Sequence, residues 1–436
     1  MRPRSLAPVV MLALTAPLVA RLGPSTAVAA EPASTAPYAA ASRWIDADDI
    51  PLADWAKSVE IVRDDEALYA SPGGARRAVV TTGVRLPLLG AVRGPGCVQR
   101  WLLVGPLAYV CADKVRLTPD PPGVDESVHP PATDGLPFRY YFVGAEGTSA
   151  YAKLTDIDDD TPVEQLDRGW AIAAVGTLSY NGASYVKTRR GRLVPRADVG
   201  PVAPFSFHGE ALAKRPGEAV GLGWVNPERA RVYAEPKASA KVVGERTRLQ
   251  RVDVLEQRRV GNDAFVRVAD GEWMKLADLR IPTPTTPPDG IAANERWIDV
   301  ELATQTLVAF EGSRPVYATV VSTGRAPGST PTGVHRIWVK LRTSTMSNAD
   351  DGGDANLDAA TYSIEDVPWV QYFSNGVALH GAFWHRRFGH VASHGCVNLA
   401  PLDAMAIFDW TLPRLPRGWD ASLPTTAEPA TVVRVR

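Results

Sequence analysis

The chain lacks a surplus of charge of either sign. Its 47 Lys and Arg stand against 48 Asp and Glu, for a formal net charge of -1. That balance leaves no basic stripe for nucleic acid and no acidic tail, so electrostatics nominates no partner. Beyond the first thirty residues no apolar run approaches the roughly 20 residues needed to span a bilayer, which excludes a later membrane span. Cysteine is scarce and odd in number: Cys97, Cys111 and Cys396 are all there is. At least one thiol is therefore unpaired within the chain. Turn-forming residues are what the chain has in plenty. Its 37 prolines and 36 glycines in 436 residues favour short strands and many turns over long helices, and the length suggests about three domains.

At the N-terminus, Arg2 and Arg4 precede an apolar stretch from Leu6 to Ala20, then Gly23, Pro24 and Ala27-Val28-Ala29-Ala30. This is the pattern of a secretory signal, residues 1–30, cleaved near Ala30 or Glu31. The expected location is outside the cytoplasm, in periplasm or cell wall, with no stable membrane insertion after cleavage. Export permits disulfides. Cys97 and Cys111 flank two strand-like runs joined at Gly105-Pro106, so a cross-strand bridge between them is sterically reasonable. Cys396 is then the leftover thiol.

After an Ala/Pro-rich leader, residues 31–57, a repeat emerges. Tyr69-Ala70, Tyr151-Ala152 and Tyr233-Ala234 recur 82 residues apart. Each precedes an aromatic that opens a strand (Trp101, Tyr185, Phe265), and each unit closes on Ala-Asp at 112–113, 197–198 and 277–278. Units of this size with short alternating strands suit small β-barrels. They resemble bacterial SH3-like domains, with units at 58–120, 138–202 and 219–283. Cell-wall contact through them is what that resemblance implies, against the plainer reading that they are spacers.

A proline-rich linker, 284–293, leads into a last domain, 294–436, that reads as strands. Asn375-Gly376 marks a hairpin of type I′, which puts His380 at a strand end. One helix is expected from Pro401 to Leu412, with proline in its first turn. Four of the seven histidines (His380, His385, His390, His394) fall within fifteen residues, and Cys396 follows. An unperturbed thiol is only about 3% thiolate at pH 7, so a nucleophilic cysteine needs an imidazole to take its proton. Lowering its pKa by about two units would make the thiolate the resting form. Gly395 leaves room beside the sulfur, and the Gly395 and Cys396 N–H groups are candidate donors to an oxyanion.

His380-Gly381, then Ser393-His394-Gly395-Cys396-Val397-Asn398, resembles the signature of the L,D-transpeptidases of bacterial peptidoglycan, the YkuD-like catalytic domain. Gln305-Thr306-Leu307, Ser322-Thr323-Gly324 and Thr330-Pro331-Thr332-Gly333 match that family's early strands. The resemblance implies a mainly β chain, with three SH3-like units followed by a β-sandwich catalytic domain carrying one short helix. It implies Cys396 as nucleophile and His380 as proton acceptor and donor. The Gly381 carbonyl would orient the imidazole, with Ser393, His394 and Asn398 around the Cys loop. Tyr372, or else Tyr362, is the candidate for an oxyanion or substrate contact. The reaction implied captures a tetrapeptide stem at its diamino acid, releases D-alanine and passes the acyl group to an amine of another stem, with no cofactor.

Three rivals stand beside it. A carboxypeptidase or other wall hydrolase shares the acyl-enzyme and differs only in acceptor, and a wall-binding protein would use the repeats alone. A zinc site at the His/Cys cluster is disfavoured by the single residue between His394 and Cys396 and by the lack of a second nearby cysteine. His129, His208, His335, His385 and His390 read as structural, and Asp350, Asp351, Asp354 and Asp358 as a solvated loop without calcium-loop spacing.

Overall fold

The computed structural model describes residues 44–45, 52–126, 128–217, 219–347 and 362–436. The expected signal segment, most of the leader and the acidic loop from Asn348 to Asp358 lie outside the described residues. What is described is mainly β.

We number the C-terminal elements β1 Arg296–Glu301, β2 Thr306–Glu311, β3 Arg314–Val320, β4 Gly333–Arg336, β5 Val339–Ser347, β6 Ser363–Ser374, β7 Val377–Gly381, β8 Val397–Leu399, α1 Pro401–Trp410, β9 Trp419–Ser422 and β10 Val432–Val435. One sheet runs β3-β2-β1-β10-β4. A second runs β9-β5-β6-β7-β8. Alternation sorts the side chains. Ile298, Val300, Leu307 and Ala309 point into a core shared with Leu379, Val397 and Leu399 of the second sheet and with Ala404, Ile407 and Phe408 of α1. Trp297, Val308 and Phe310 face the other way, into a cluster with Trp224 and Phe388. Strands buried on both faces read as continuous apolar runs, as β1 and β2 do.

The helix begins where expected but ends two residues early, at Trp410. Lys340, wholly buried, donates its ammonium protons to the Phe408 and Thr411 carbonyls and caps that end. The Asn375-Gly376 hairpin also differs from its type I′ expectation. Only Gly376 takes a positive φ, 74°, and the register shifts between Tyr372 and Ser374, so a bulge supplies the twist.

The repeat anchors meet within each unit. Tyr69 and Trp101 pack edge to face at 5.3 Å and Tyr233 and Phe265 at 6.1 Å, while Tyr151 and Tyr185 share a cluster with Leu193. Each unit carries a 3₁₀ turn on its Ala-Asp, at Ala112–Lys114, Arg196–Asp198 and Leu276–Asp278. The closed barrels expected for these units are not found among the described residues. Strand Arg76–Val80 instead pairs with β9, and Ala171 of the second unit bridges in parallel to Ile364 of β6. An open edge with unpaired N–H and C=O groups finds partners wherever geometry offers them. The third unit keeps a three-stranded and a five-stranded sheet around Val225, Val232, Val266 and Met274. Cys97 is joined to Cys111 beside the hairpin formed by Trp101–Gly105 and Ala108–Cys111, with Cα atoms 5.5 Å apart.

Candidate active site

β7 and β8 lie side by side in parallel, with Leu379 opposite Val397 and His380 opposite Asn398. Cross-strand neighbours share a face and alternate along the strand. Leu379 and Val397 therefore enter the core, while His380 and Asn398 point the other way. Ala378, two residues back on β7, and Cys396, in the bend just before β8, pack on a cluster with Tyr140 and Phe383. Cys396 thus lies beside the strand that carries His380.

His380 is 2% exposed, and its ring stacks on Trp384 at 5.7 Å. Its Nδ1 lies 3.1 Å from the Gly381 carbonyl oxygen. A carbonyl only accepts, so Nδ1 carries the proton and Nε2 is left as the accepting nitrogen. Burial pushes its pKa down to about 4, with the Gly381 hydrogen bond pulling the other way, and the imidazole rests neutral. Cys396 is half-buried, its Sγ 3.9 Å from the Gly376 oxygen. Burial raises the thiol above its ordinary range, and the Ala378 backbone lowers it only in part. Both groups are therefore held toward their neutral forms, against the expectation of a resting thiolate. Low dielectric disfavours both charges of an ion pair.

The Cys loop is closed by hydroxyls. Ser393 Oγ accepts from the Gly395 N–H at 3.1 Å and donates to the Cys396 carbonyl at 2.6 Å. Thr330 Oγ1 donates to the Gly395 carbonyl at 2.7 Å and accepts the Gly324 N–H at 2.9 Å. Ser322 exchanges two backbone hydrogen bonds with Asn398, and the Gln305 amide holds Thr323 through both its backbone and its hydroxyl. Each early motif thus converges on the loop. Two expectations change here. The Gly395 N–H, read as an oxyanion donor, is already engaged by Ser393. The room at Gly395 is needed for the main chain of Ser329, whose carbonyl oxygen would lie 2.7 Å from an added Cβ.

His394 is exposed and stacks flat on Tyr362 at 5.3 Å, so it does not prop the loop from within. Tyr362 stands on this rim, whereas Tyr372 stacks on Trp338. His385, which reads as structural in the sequence, is tied on both ring nitrogens. Its Nδ1 accepts the Arg387 N–H at 3.1 Å, and its Nε2 lies 2.9 Å from the Asn398 amide. Burial, then the charges of His380 and nearby arginines, lower its pKa to about 4. It joins β8 to the loop before it. The same loop is gripped from the third unit. Arg248 donates to the Phe388 carbonyl at 2.7 Å and Arg280 to the Gly389 carbonyl at 2.8 Å. A Cβ on Gly389 would lie 2.7 Å from the Asn226 side chain.

An imidazole with an accepting Nε2 beside a lone thiol can take the sulfur's proton as it attacks a carbonyl, which is the chemistry of acyl transfer through a thioester. Residues 295–434 match the family model of the L,D-transpeptidase catalytic domain, YkuD. Among solved structures, the chain is similar to an Enterococcus faecium L,D-transpeptidase mutant at 20% identity, over 33% of this chain and 50% of that one, with a TM-score of 0.25. A Stackebrandtia nassauensis L,D-transpeptidase is 27% identical over 33% of this chain and 57% of that one, with a TM-score of 0.22. A Mycobacterium smegmatis L,D-transpeptidase is 17% identical over 53% of this chain and all of that one, with a TM-score of 0.26. The match thus spans about half the length of the first two structures. No curated protein matches the chain.

Proposed function

We propose that the protein is an exported peptidoglycan L,D-transpeptidase that works through a Cys396 thioester. The observation that carries this reading is the parallel pairing of β7 with β8, which brings His380 next to the bend that holds Cys396, with Nδ1 tied to Gly381 and Nε2 left to accept. As the Cys396 sulfur attacks the carbonyl carbon at the diamino acid of a tetrapeptide stem, His380 Nε2 takes the thiol proton. The C–N bond to the terminal D-alanine then breaks, and the same proton passes to its amine. An amine of a second stem attacks the thioester carbon, yields its proton through Nε2 to the departing sulfur and completes the crosslink. A base of this kind supplies about 10²-fold to 10⁴-fold. The family match over residues 295–434 and the loose thiol of a chain whose other two cysteines are joined support it. Among the described residues no helix is long and apolar enough to cross a membrane.

The test incubates the mature chain with purified disaccharide-tetrapeptides and reads products by mass spectrometry. Free D-alanine together with dimeric muropeptides is expected. Monomers shortened by hydrolysis, without dimers, would instead make the protein a carboxypeptidase on the same acyl-enzyme. Cys396→Ala should abolish either product.

A further inference from the structure

Trp338, just ahead of β5, is 51% exposed. Its N–H donates to the Tyr372 carbonyl at 2.9 Å. Its ring stacks on that tyrosine at 5.6 Å with 27° between planes, which fixes one face and leaves the other open. The pair is tied to the thiol by register. Val339 lies opposite Tyr372, Tyr372 opposite Ala378, and the Ala378 backbone bears on the Cys396 sulfur. Tyr372 and Cys396 pack on the same apolar cluster.

Distances along this row can be estimated. Neighbouring strands lie about 4.8 Å apart, so β6 is about 10 Å and β5 about 14 Å from the strand of the nucleophile. A stem peptide attacked at its third residue extends back through three residues, about 10 Å at roughly 3.3–3.6 Å each, before reaching the sugar that bears it. A stem that runs from the sulfur across the sheet would set its sugar end over β5 and β6, where the aromatic pair stands. The apolar C–H face of a pyranose carries positive edge charge toward an electron-rich indole face. One exposed ring pair is also far smaller than the several hundred Å² that mark a protein-binding patch, and it matches a single sugar ring.

We propose that Trp338, backed by Tyr372, is a saccharide subsite that seats the glycan residue attached to the donor stem. The proposal rests on the stem-peptide reading of the site, and the experiment separates the two. The full chain carrying Cys396→Ala is titrated by calorimetry with a bare tetrapeptide, with the same tetrapeptide on its disaccharide, and with the disaccharide alone. The disaccharide form should bind about tenfold more tightly than the bare peptide. Adding Trp338→Ala should close that gap, and Trp338→Tyr should keep part of it. Unchanged circular dichroism in these surface variants confirms folding. Equal affinity for the two peptides in the parent, or a gap that survives Trp338→Ala, overturns the subsite. If the bare peptide does not bind but the disaccharide does, and through Trp338, the subsite stands and the stem-peptide reading fails. If nothing binds, both fall.

Discussion

The first and third repeat units are attached to the catalytic sheets by different physics. The first is joined through backbone: Arg76–Val80 lies antiparallel to β9, with Ala78 opposite Ser422 and Val80 opposite Trp419. The third is joined through side chains: Arg248 and Arg280 hold the carbonyls of Phe388 and Gly389. A strand ladder fixes a domain's position whatever its side chains are. Charge-assisted hydrogen bonds to a loop fix only that loop, and depend on each donor. The ladder meets a strand that carries no candidate site residue, whereas the arginines meet the segment between His380 and Cys396. The two seams should therefore fail differently, one in stability and the other in turnover.

The reference for turnover is His380→Ala, which should lower kcat/KM by about 10² to 10⁴ per folded molecule. A near-normal rate would remove His380 from its role. On the ladder side, Arg77 is buried, donates to Ser422 Oγ at 2.9 Å and pairs with Glu428. Arg77→Ala should cost about 2–4 kcal/mol of stability and leave the specific activity of the folded fraction unchanged, as judged by denaturation and by rate per alkylatable site. On the side-chain seam, Arg280→Ala should lower turnover by roughly tenfold to a hundredfold through loop displacement. If the two variants lose stability and activity in the same ratio, the contrast between the seams is wrong.

Acid–base behaviour sharpens the site further. The imidazole must be neutral to accept a proton, and it gains one only near pH 4. The acid limb of kcat/KM should therefore fall near pH 4 and not near 6.5. Cys396 should show half-maximal iodoacetamide labelling above the ordinary cysteine range of about 8.5, because burial favours the thiol. Labelling well below pH 8 would instead show a resting ion pair. A carbapenem should add one mass to Cys396 and block the label, with Cys97 and Cys111 unlabelled before reduction.

Local sequence carried the parts whose contacts are short in range. The aromatic anchors Tyr69 with Trp101 and Tyr233 with Phe265 lie within single units, and the spacing from His380 to Cys396 spans one loop, so both were legible. Pairing of Arg76–Val80 with β9 was not, because a strand's alternation shows which face is buried but not which distant edge it joins. The thiol's acidity is not legible for a related reason: it is set by burial, and the packing cluster includes Tyr140, far from the motif in sequence. The Gly395 N–H was assigned to an oxyanion because glycine beside a nucleophile invites it. The competing Ser393 hydroxyl lay in the same hexapeptide, but its direction becomes visible only in three dimensions.

The hydroxyl-closed loop has a consequence for portability. Cys396 sits in a hexapeptide that looks self-contained, yet its carbonyls and N–H groups are completed by Thr330, Ser322 and, through Thr323, Gln305. Residues 393–398 grafted onto a foreign hairpin would carry the thiol without the partners that set its direction. Substitution at Thr330 should follow chemistry over shape: serine keeps the donor, while valine, nearly isosteric, leaves the Gly395 carbonyl without its partner. The heritable unit is the set of four chain segments that meet at the loop, and a homologue that drifts in one must compensate in the others or lose its nucleophile's aim.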